Sequence, residues 1–203
     1  MRNKGLFVAG LTMVLLGVVG FAATLAFEQG GCCSVETAGP GRPDGAQSVG
    51  SVERMFIEQM VPHHDQAIAM AELASEKAEH PELRDLAQEI VRTQSEENEQ
   101  MREWYSDWFG ETLSPGESGG MMDGMPGMMG REVDLDELED ADPFDKEFIE
   151  QMIPHHRMGI MMARMAGSSS GRDDFRRFTG EIVDVQSDEI DMMSGWYDEW
   201  YGR

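Results

Sequence analysis

Cysteine is scarce in this chain of 203 residues, and the two cysteines present, Cys32 and Cys33, are neighbours. Two adjacent thiols cannot build the crosslinked framework that stabilises small disulfide-rich domains. In an oxidising compartment they could form a strained bond with each other, link two chains or bind a soft metal ion. A tether without chemistry is the simplest interpretation of the pair.

Basic residues are also scarce: 16 lysines and arginines stand against 39 aspartates and glutamates, for a formal net charge of −23. Such a chain repels phosphate backbones and anionic lipid headgroups, which argues against nucleic acid as a partner. The same charge attracts cations. The generally acidic proteome of a salt-adapted organism would produce a similar composition, so charge alone does not separate the two explanations.

Long apolar runs are absent except for residues 5–27, which carry no charge and follow Arg2 and Lys4. A basic start followed by an apolar segment predicts export, and about 20 apolar residues suffice to span a bilayer. We therefore interpret residues 1–30 as a signal peptide or an N-terminal membrane anchor, and residues 31–50 as a flexible linker. The segment could stay uncleaved as an anchor, be cleaved after Ala26, or lead to lipidation at Cys32.

The remainder of the chain is accordingly predicted to act outside the cytoplasm, in the periplasm or at the cell surface, attached to the membrane by its N-terminal segment.

This remainder of the chain contains an internal duplication. FIEQMVPHH at residues 56–64 recurs as FIEQMIPHH at residues 148–156, an offset of 92 positions. Over residues 56–110 and 148–202 this offset gives 24 identical positions of 55 without a gap, which is too many for shared composition.

Each copy has the periodicity of two amphipathic helices. In the first helix one arc collects the apolar residues together with His63 and His64, so both histidines are predicted to point inward. Pro62 lies within this segment and predicts either a kink or a helix that restarts there. A short turn at residues 78–81 precedes the second helix, so the two helices should form an antiparallel hairpin.

These patterns predict an all-α fold in which two hairpins, residues 51–110 and 142–203, pack into one four-helix bundle. Each hairpin has an apolar face that the other can cover, which places both histidine pairs against a shared core. Residues 111–141 form a Met/Gly-rich and acidic linker between the hairpins. Asp142 is predicted to cap the second hairpin, with Pro143 in the first helical position.

Polar residues also fall on the inward face of the second helix, at Gln94 and Glu97, and the duplication repeats them as Gln186 and Glu189. Buried polar groups must be paired or must bind something, so these four are candidates to contact a bound ion or the residues that hold it. The linker adds five methionines among glycines, either an auxiliary site for a soft ion such as Cu(I) or a disordered segment rich in methionine. They are Met121, Met122, Met125, Met128 and Met129.

No glutamate stands three residues before any of the five histidines. Bundle proteins that use paired iron or manganese draw Glu-x-x-His from two helices. Here that place is taken by Met60 before His63 and by Met152 before His155. A thioether in place of a carboxylate shifts preference from iron toward copper, Cu(I) in particular, whereas zinc uses thioethers poorly.

The doubled F-I-E-Q-M-[VI]-P-H-H motif, with W-Y-x-x-W near the end of each hairpin, resembles domain of unknown function family 305 from residue 52 to the C-terminus. The resemblance implies a ferritin-like four-helix bundle that is exported or tethered to a membrane. It also implies copper, because some members of the family are periplasmic copper-binding proteins with roles in copper tolerance.

We therefore expect an exported protein that sequesters or delivers copper, with a copper-handling protein as a further partner. The predicted ligands are Met60, His63, His64, Met70, Met152, His155, His156 and Met162. Residues predicted to bind the ion or to support its ligands are Gln94, Glu97, Met101, Gln186, Glu189 and Met193.

Two other functions stay open at this point. An ion held by few ligands, with an open coordination position, could oxidise Cu(I) or reduce oxygen species on the same bundle, with Glu97 and Glu189 as proton carriers. Alternatively, the tryptophans at the ends of the hairpins could dock a partner without any metal, although they are more typical of a core cap. These tryptophans are Trp104, Trp108, Trp196 and Trp200.

Overall fold

A computed structural model of the chain describes residues 45–113 and 134–202. Three predictions fall outside these ranges: the signal or anchor at residues 1–30, the cysteine pair, and the auxiliary methionine site at residues 121–129. Within the described ranges, no helix combines the length and the apolar character needed to cross a membrane.

The described residues form helices and no strands, which confirms the all-α prediction. The helices are α1 (Gly45–Lys77), α2 (Pro81–Phe109), α3 (Leu135–Glu139), α4 (Phe144–Ser169) and α5 (Asp173–Tyr201). α1 packs against α2 and α4 against α5 as antiparallel hairpins, and the hairpins meet chiefly through α1 and α4. The predicted bundle of two hairpins is therefore observed.

The ends of α2 follow from its local sequence. His80 is extended at the N-cap and Pro81 opens the helix, where the missing N–H of proline has no cost. At the other end Gly110 takes the left-handed conformation, with φ of 71°, and its N–H donates to the Ser106 carbonyl at 2.9 Å. Glycine adopts that conformation without the steric penalty of a side chain.

Some local expectations were wrong. α1 begins at Gly45, so part of the predicted linker is helical. Of the two outcomes predicted at Pro62, a kink or a restarted helix, the restart does not occur, because α1 continues through Pro62 as α4 continues through Pro154. Asp142 does not cap α4: Pro143 occupies the N-cap position and no side chain caps the helix. The acidic end of the predicted linker forms α3, because Asp134 accepts the N–H of Glu137 and Leu138 is buried.

The core divides into two clusters, one on either side of the histidines along α1 and α4. Each cluster draws side chains from both hairpins. The first methionine cluster comprises Met60, Met101 and the partly buried Met162. The second methionine cluster comprises Met70, Met152 and Met193. Because the chain offset of 92 exchanges the two sets, the fold repeats the symmetry of the sequence.

A buried carboxylate near the start of each hairpin's first helix holds the connecting turn of the other hairpin. Asp145 accepts the backbone N–H groups of Glu79 and His80, both at 2.9 Å, and contacts His80 Nδ1 at 2.6 Å. Glu53, at the equivalent position, accepts the Ser170 hydroxyl at 2.5 Å. Both carboxylates are almost fully buried, so each hairpin fixes a turn of the other.

Candidate metal centre

Four histidines meet where α1 crosses α4. The rings of His63 and His155 stack across the interface between the hairpins, with centroids 3.8 Å apart. His64 and His156 are fully buried behind them. Since the stack joins one ring from each copy, the predicted shared histidine core is confirmed.

The rings at the centre of this group are neutral. Burial lowers the pKa of His63 well below its usual range, and the neighbouring histidines His155, His64 and His156 lower it further. Burial, followed by His156 and His64, lowers the pKa of His155 to about 3. A neutral imidazole keeps a ring nitrogen lone pair available, which is the form that binds metal ions.

His63 and His155 have no hydrogen-bond partners among the described residues at either ring nitrogen, although all four nitrogens are buried. His155 is partly exposed as a whole residue, but both of its ring nitrogens are buried. A buried polar atom without a partner costs free energy, and bound metal would satisfy it. The residues present thus fit the metal that the sequence predicts.

A carboxylate stands beside each of the other two histidines. His156 Nε2 and Glu189 Oε2 are hydrogen-bonded at 2.6 Å. His64 Nε2 and Glu97 Oε2 lie 2.8 Å apart, but the angles are not those of a hydrogen bond. A carboxylate on one ring nitrogen orients the ring and raises the basicity of the other, and here the other nitrogen, Nδ1, has no partner among the described residues in either ring.

The buried glutamines complete the polar interior. Gln94 and Gln186 are 3% and 2% exposed, and both amide atoms of each lack hydrogen-bond partners in the part of the chain that the structure describes. Gln186 lies beside His63, because a Cβ placed on Gly159 would meet Gln186 Oε1 at 2.5 Å and His63 Cε1 at 3.2 Å. The sequence predicted the inward positions of Gln94, Glu97, Gln186 and Glu189.

The predicted methionine ligands are divided between the two clusters. Met60 and Met70 belong to one helix but to different clusters, and each cluster includes at least one methionine of the other hairpin. The sequence placed them correctly on the inward face of α1 and could not show which partners they would meet. Over the described ranges, no group of three or more His, Cys, Asp or Glu side chains is arranged to hold a metal ion. Thioether sulfur is the further donor present in both clusters.

The two copies differ at the residues that follow His64 and Glu97 in the chain. In the first copy Asn98 is buried and donates to Asp65 at 2.7 Å, and Arg102 reaches the same carboxylate at 3.4 Å. The second copy has Ile190 and Arg157 at the positions equivalent to Asn98 and Asp65, so it cannot form the same network.

The fifth histidine and the tryptophans lie at the ends of the bundle. His80 stacks on Trp200 at 3.6 Å, and at the opposite end Arg172 lies 4.1 Å over the ring of Trp108. Trp104 stacks on Trp108 and meets Phe178 edge to face. All four tryptophans pack against the core clusters.

Glu53 and Asp145 are buried carboxylates that the sequence analysis missed. A signal was available, because the offset of 92 relates one carboxylate to the other three residues before the duplicated motif begins. Their burial could not be read from helical periodicity, since each one contacts a turn rather than a neighbouring helix face.

Residues 53–203 match the family described as Domain of unknown function (DUF305). The chain belongs to this family. The DUF305 assignment covers both hairpins and confirms the resemblance inferred from the doubled motif. A comparison with the curated proteins gives no match.

Solved structures similar to this DUF305 chain include CopM in several metal-bound forms. The Cu(I)-bound form is 42% identical, with 74% of this chain and 98% of CopM covered and a TM-score of 0.64. The Cu(II)-bound form is 45% identical, with 72% and 95% covered and a TM-score of 0.66; silver-bound forms are also known.

A DUF305 protein of Streptomyces coelicolor, described as a predicted secreted protein, is 25% identical. Its match covers 74% of this chain and 94% of its own, with a TM-score of 0.63.

Proposed function

We propose that this protein binds copper in the interior of its bundle and serves to sequester or deliver the ion outside the cytoplasm. The observation that carries the proposal is the stacked pair His63 and His155, whose four buried ring nitrogens have no partners among the described residues. Neutral imidazoles that are buried together without hydrogen-bond partners have lone pairs with which to bind a metal ion.

The character of the surrounding donors favours copper. A methionine cluster lies on each side of the histidines along α1 and α4, and thioether sulfur prefers Cu(I) to harder ions. CopM, at 42% identity, has been solved with Cu(I), Cu(II) and silver bound. The ligands we propose are the two histidine pairs with Met60, Met70, Met152 and Met162.

The extracytoplasmic part of the proposal rests on the apolar run at residues 5–27 with its basic start. The secreted description of the Streptomyces relative supports it. Release of copper to a copper-handling protein is the delivery role that such a location suits.

Metal titration of the purified protein tests the proposal. Cu(I), Cu(II) and Zn(II) are titrated against a competing chelator, and we expect Cu(I) to bind more tightly than Zn(II). The double substitution His63→Ala with His155→Ala should abolish the tight sites while the helical circular dichroism stays nearly intact. Unchanged copper affinity in that variant would refute the proposed centre.

Two matched controls sharpen the result. His80→Ala removes the histidine at the end of the bundle and should leave copper affinity unchanged. Met60→Leu with Met152→Leu should lower Cu(I) affinity far more than Zn(II) affinity, whereas Met165→Leu, at a methionine that is 64% exposed, should alter neither. Equal losses for Cu(I) and Zn(II) in the Met60 and Met152 variant would argue against thioether ligation.

A further inference from the structure

Gly159 lies in the middle of α4, fully within the core, where glycine weakens a helix relative to alanine. The equivalent position in the first copy is Ala67, which is fully buried. The first copy therefore shows that the helix accepts a methyl group at this place. The residues around Gly159 must therefore explain why the second copy has glycine at this position.

The surroundings supply that reason. A Cβ on Gly159 would lie 2.5 Å from Gln186 Oε1, 3.2 Å from Gln186 Nε2 and 3.2 Å from His63 Cε1. The first distance is shorter than any real contact of this kind. The missing methyl group thus leaves a space that the Gln186 amide and the His63 ring both border.

We propose that Gly159 and Gln186 together position His63, and that they make the His63 half of the copper centre different from the His155 half. The proposal rests on the proposed function for the identity of the ion, but the arrangement itself involves only residues of this chain. The Gln186 amide has no hydrogen-bond partner in the described structure and lies next to a ring whose nitrogens also have none. When His63 binds a metal through one nitrogen, an adjacent amide oxygen is suited to accept the N–H of the other.

Alanine at 159 should move the amide rather than unfold the protein, because the closest atoms are the end of a flexible side chain. We therefore expect Gly159→Ala to fold and to shift the imidazole carbon and proton resonances of His63 in the copper-free protein. Cu(I) affinity should fall by about 10- to 100-fold, the usual effect of losing a partner of a metal ligand.

Gly167→Ala is the matched control for crowding. It lies in the same helix, and its added Cβ would meet Thr179 Oγ1 at 2.4 Å, away from the histidines. This variant should leave the His63 resonances and the Cu(I) affinity as in the wild type. If Gly159→Ala and Gly167→Ala affect His63 and copper equally, general crowding explains the result and the proposal is wrong.

Gln186→Ala tests the same idea without any added atom, and it decides the matter if Gly159→Ala does not fold. It should reproduce the resonance shift and the loss of affinity, and in its background Gly159→Ala should cost at most about threefold more, because the two changes act through one contact. Wild-type resonances and affinity in Gln186→Ala would overturn the proposal. Should the wild type bind no copper, the proposed function fails, while the resonance measurements on copper-free protein still test the positioning of His63.

Discussion

The carboxylates of Glu97 and Glu189, which lie beside His64 and His156, distinguish a metal-binding role from a catalytic one. Glu189 is hydrogen-bonded to His156, and Glu97 lies within ion-pair distance of His64. In both cases the carboxylate touches the ring nitrogen Nε2, where it can fix the orientation of the ring. That placement suits support of a metal ligand better than transport of protons over a distance.

We predict that Glu97→Gln with Glu189→Gln lowers copper affinity by about 10- to 100-fold, because a neutral amide supports a ligating imidazole less well than a carboxylate. Competitive titration with Cu(I) measures the change. Glu99→Gln, at an exposed position of α2, should have no effect.

An oxygen electrode provides the opposing test. If the carboxylates carried protons for an oxidase, copper affinity would hold in the double variant while oxygen consumption with Cu(I) fell. Sustained turnover by the wild type above the free-ion background would contradict the binding role.

The inward positions of the histidines, glutamines and glutamates followed from the sequence, because helical periodicity determines the face on which a residue lies. Periodicity does not determine the partner across an interface. Met60 and Met70 share a face, yet they belong to separate clusters, Met60 with Met162 and Met70 with Met152 of the other hairpin. The space beside Gly159 was equally hidden, since it depends on the conformation of Gln186 on another helix.

Among the helices, the long pairs were predicted and the ends were less accurate. α3 escaped prediction because its five residues are too few to show a period. Its stability comes from the Asp134 cap and from Leu138, which is buried in the core cluster that contains Phe148. The early start of α1 was hidden by the Gly- and Ser-containing sequence before Val52, which is typical of a linker.

The start of α2 depends on a residue of α4. Asp145 accepts two backbone N–H groups of the turn before α2 and contacts the His80 ring. We predict that Asp145→Ala lowers the free energy of unfolding by about 2–4 kcal/mol, since it removes a buried charged acceptor and leaves its donors unpaired. Urea denaturation followed by circular dichroism measures the loss.

Glu72→Ala, on the exposed face of α1, is the control and should change the free energy of unfolding by less than about 0.5 kcal/mol. A comparable small change in Asp145→Ala would show that the turn does not need the carboxylate.

The two hairpins should unfold together. Both core clusters contain residues of both hairpins, and Glu53 and Asp145 each hold a turn of the opposite hairpin. We therefore predict one cooperative thermal transition, with equal calorimetric and van't Hoff enthalpies. Differential scanning calorimetry checks this, and two resolved transitions would mean that each hairpin is stable alone.

A single hairpin that paired with a second copy of itself would carry every substitution twice, once on each side of the interface. Joining two copies in one gene removes that constraint. In this chain the two copies differ: Gly159 stands at the position equivalent to Ala67, and Ile190 and Arg157 stand where the first copy has Asn98 and its partner Asp65. A symmetric pair of identical hairpins would give His63 and His155 identical surroundings, whereas the fused chain gives them different ones.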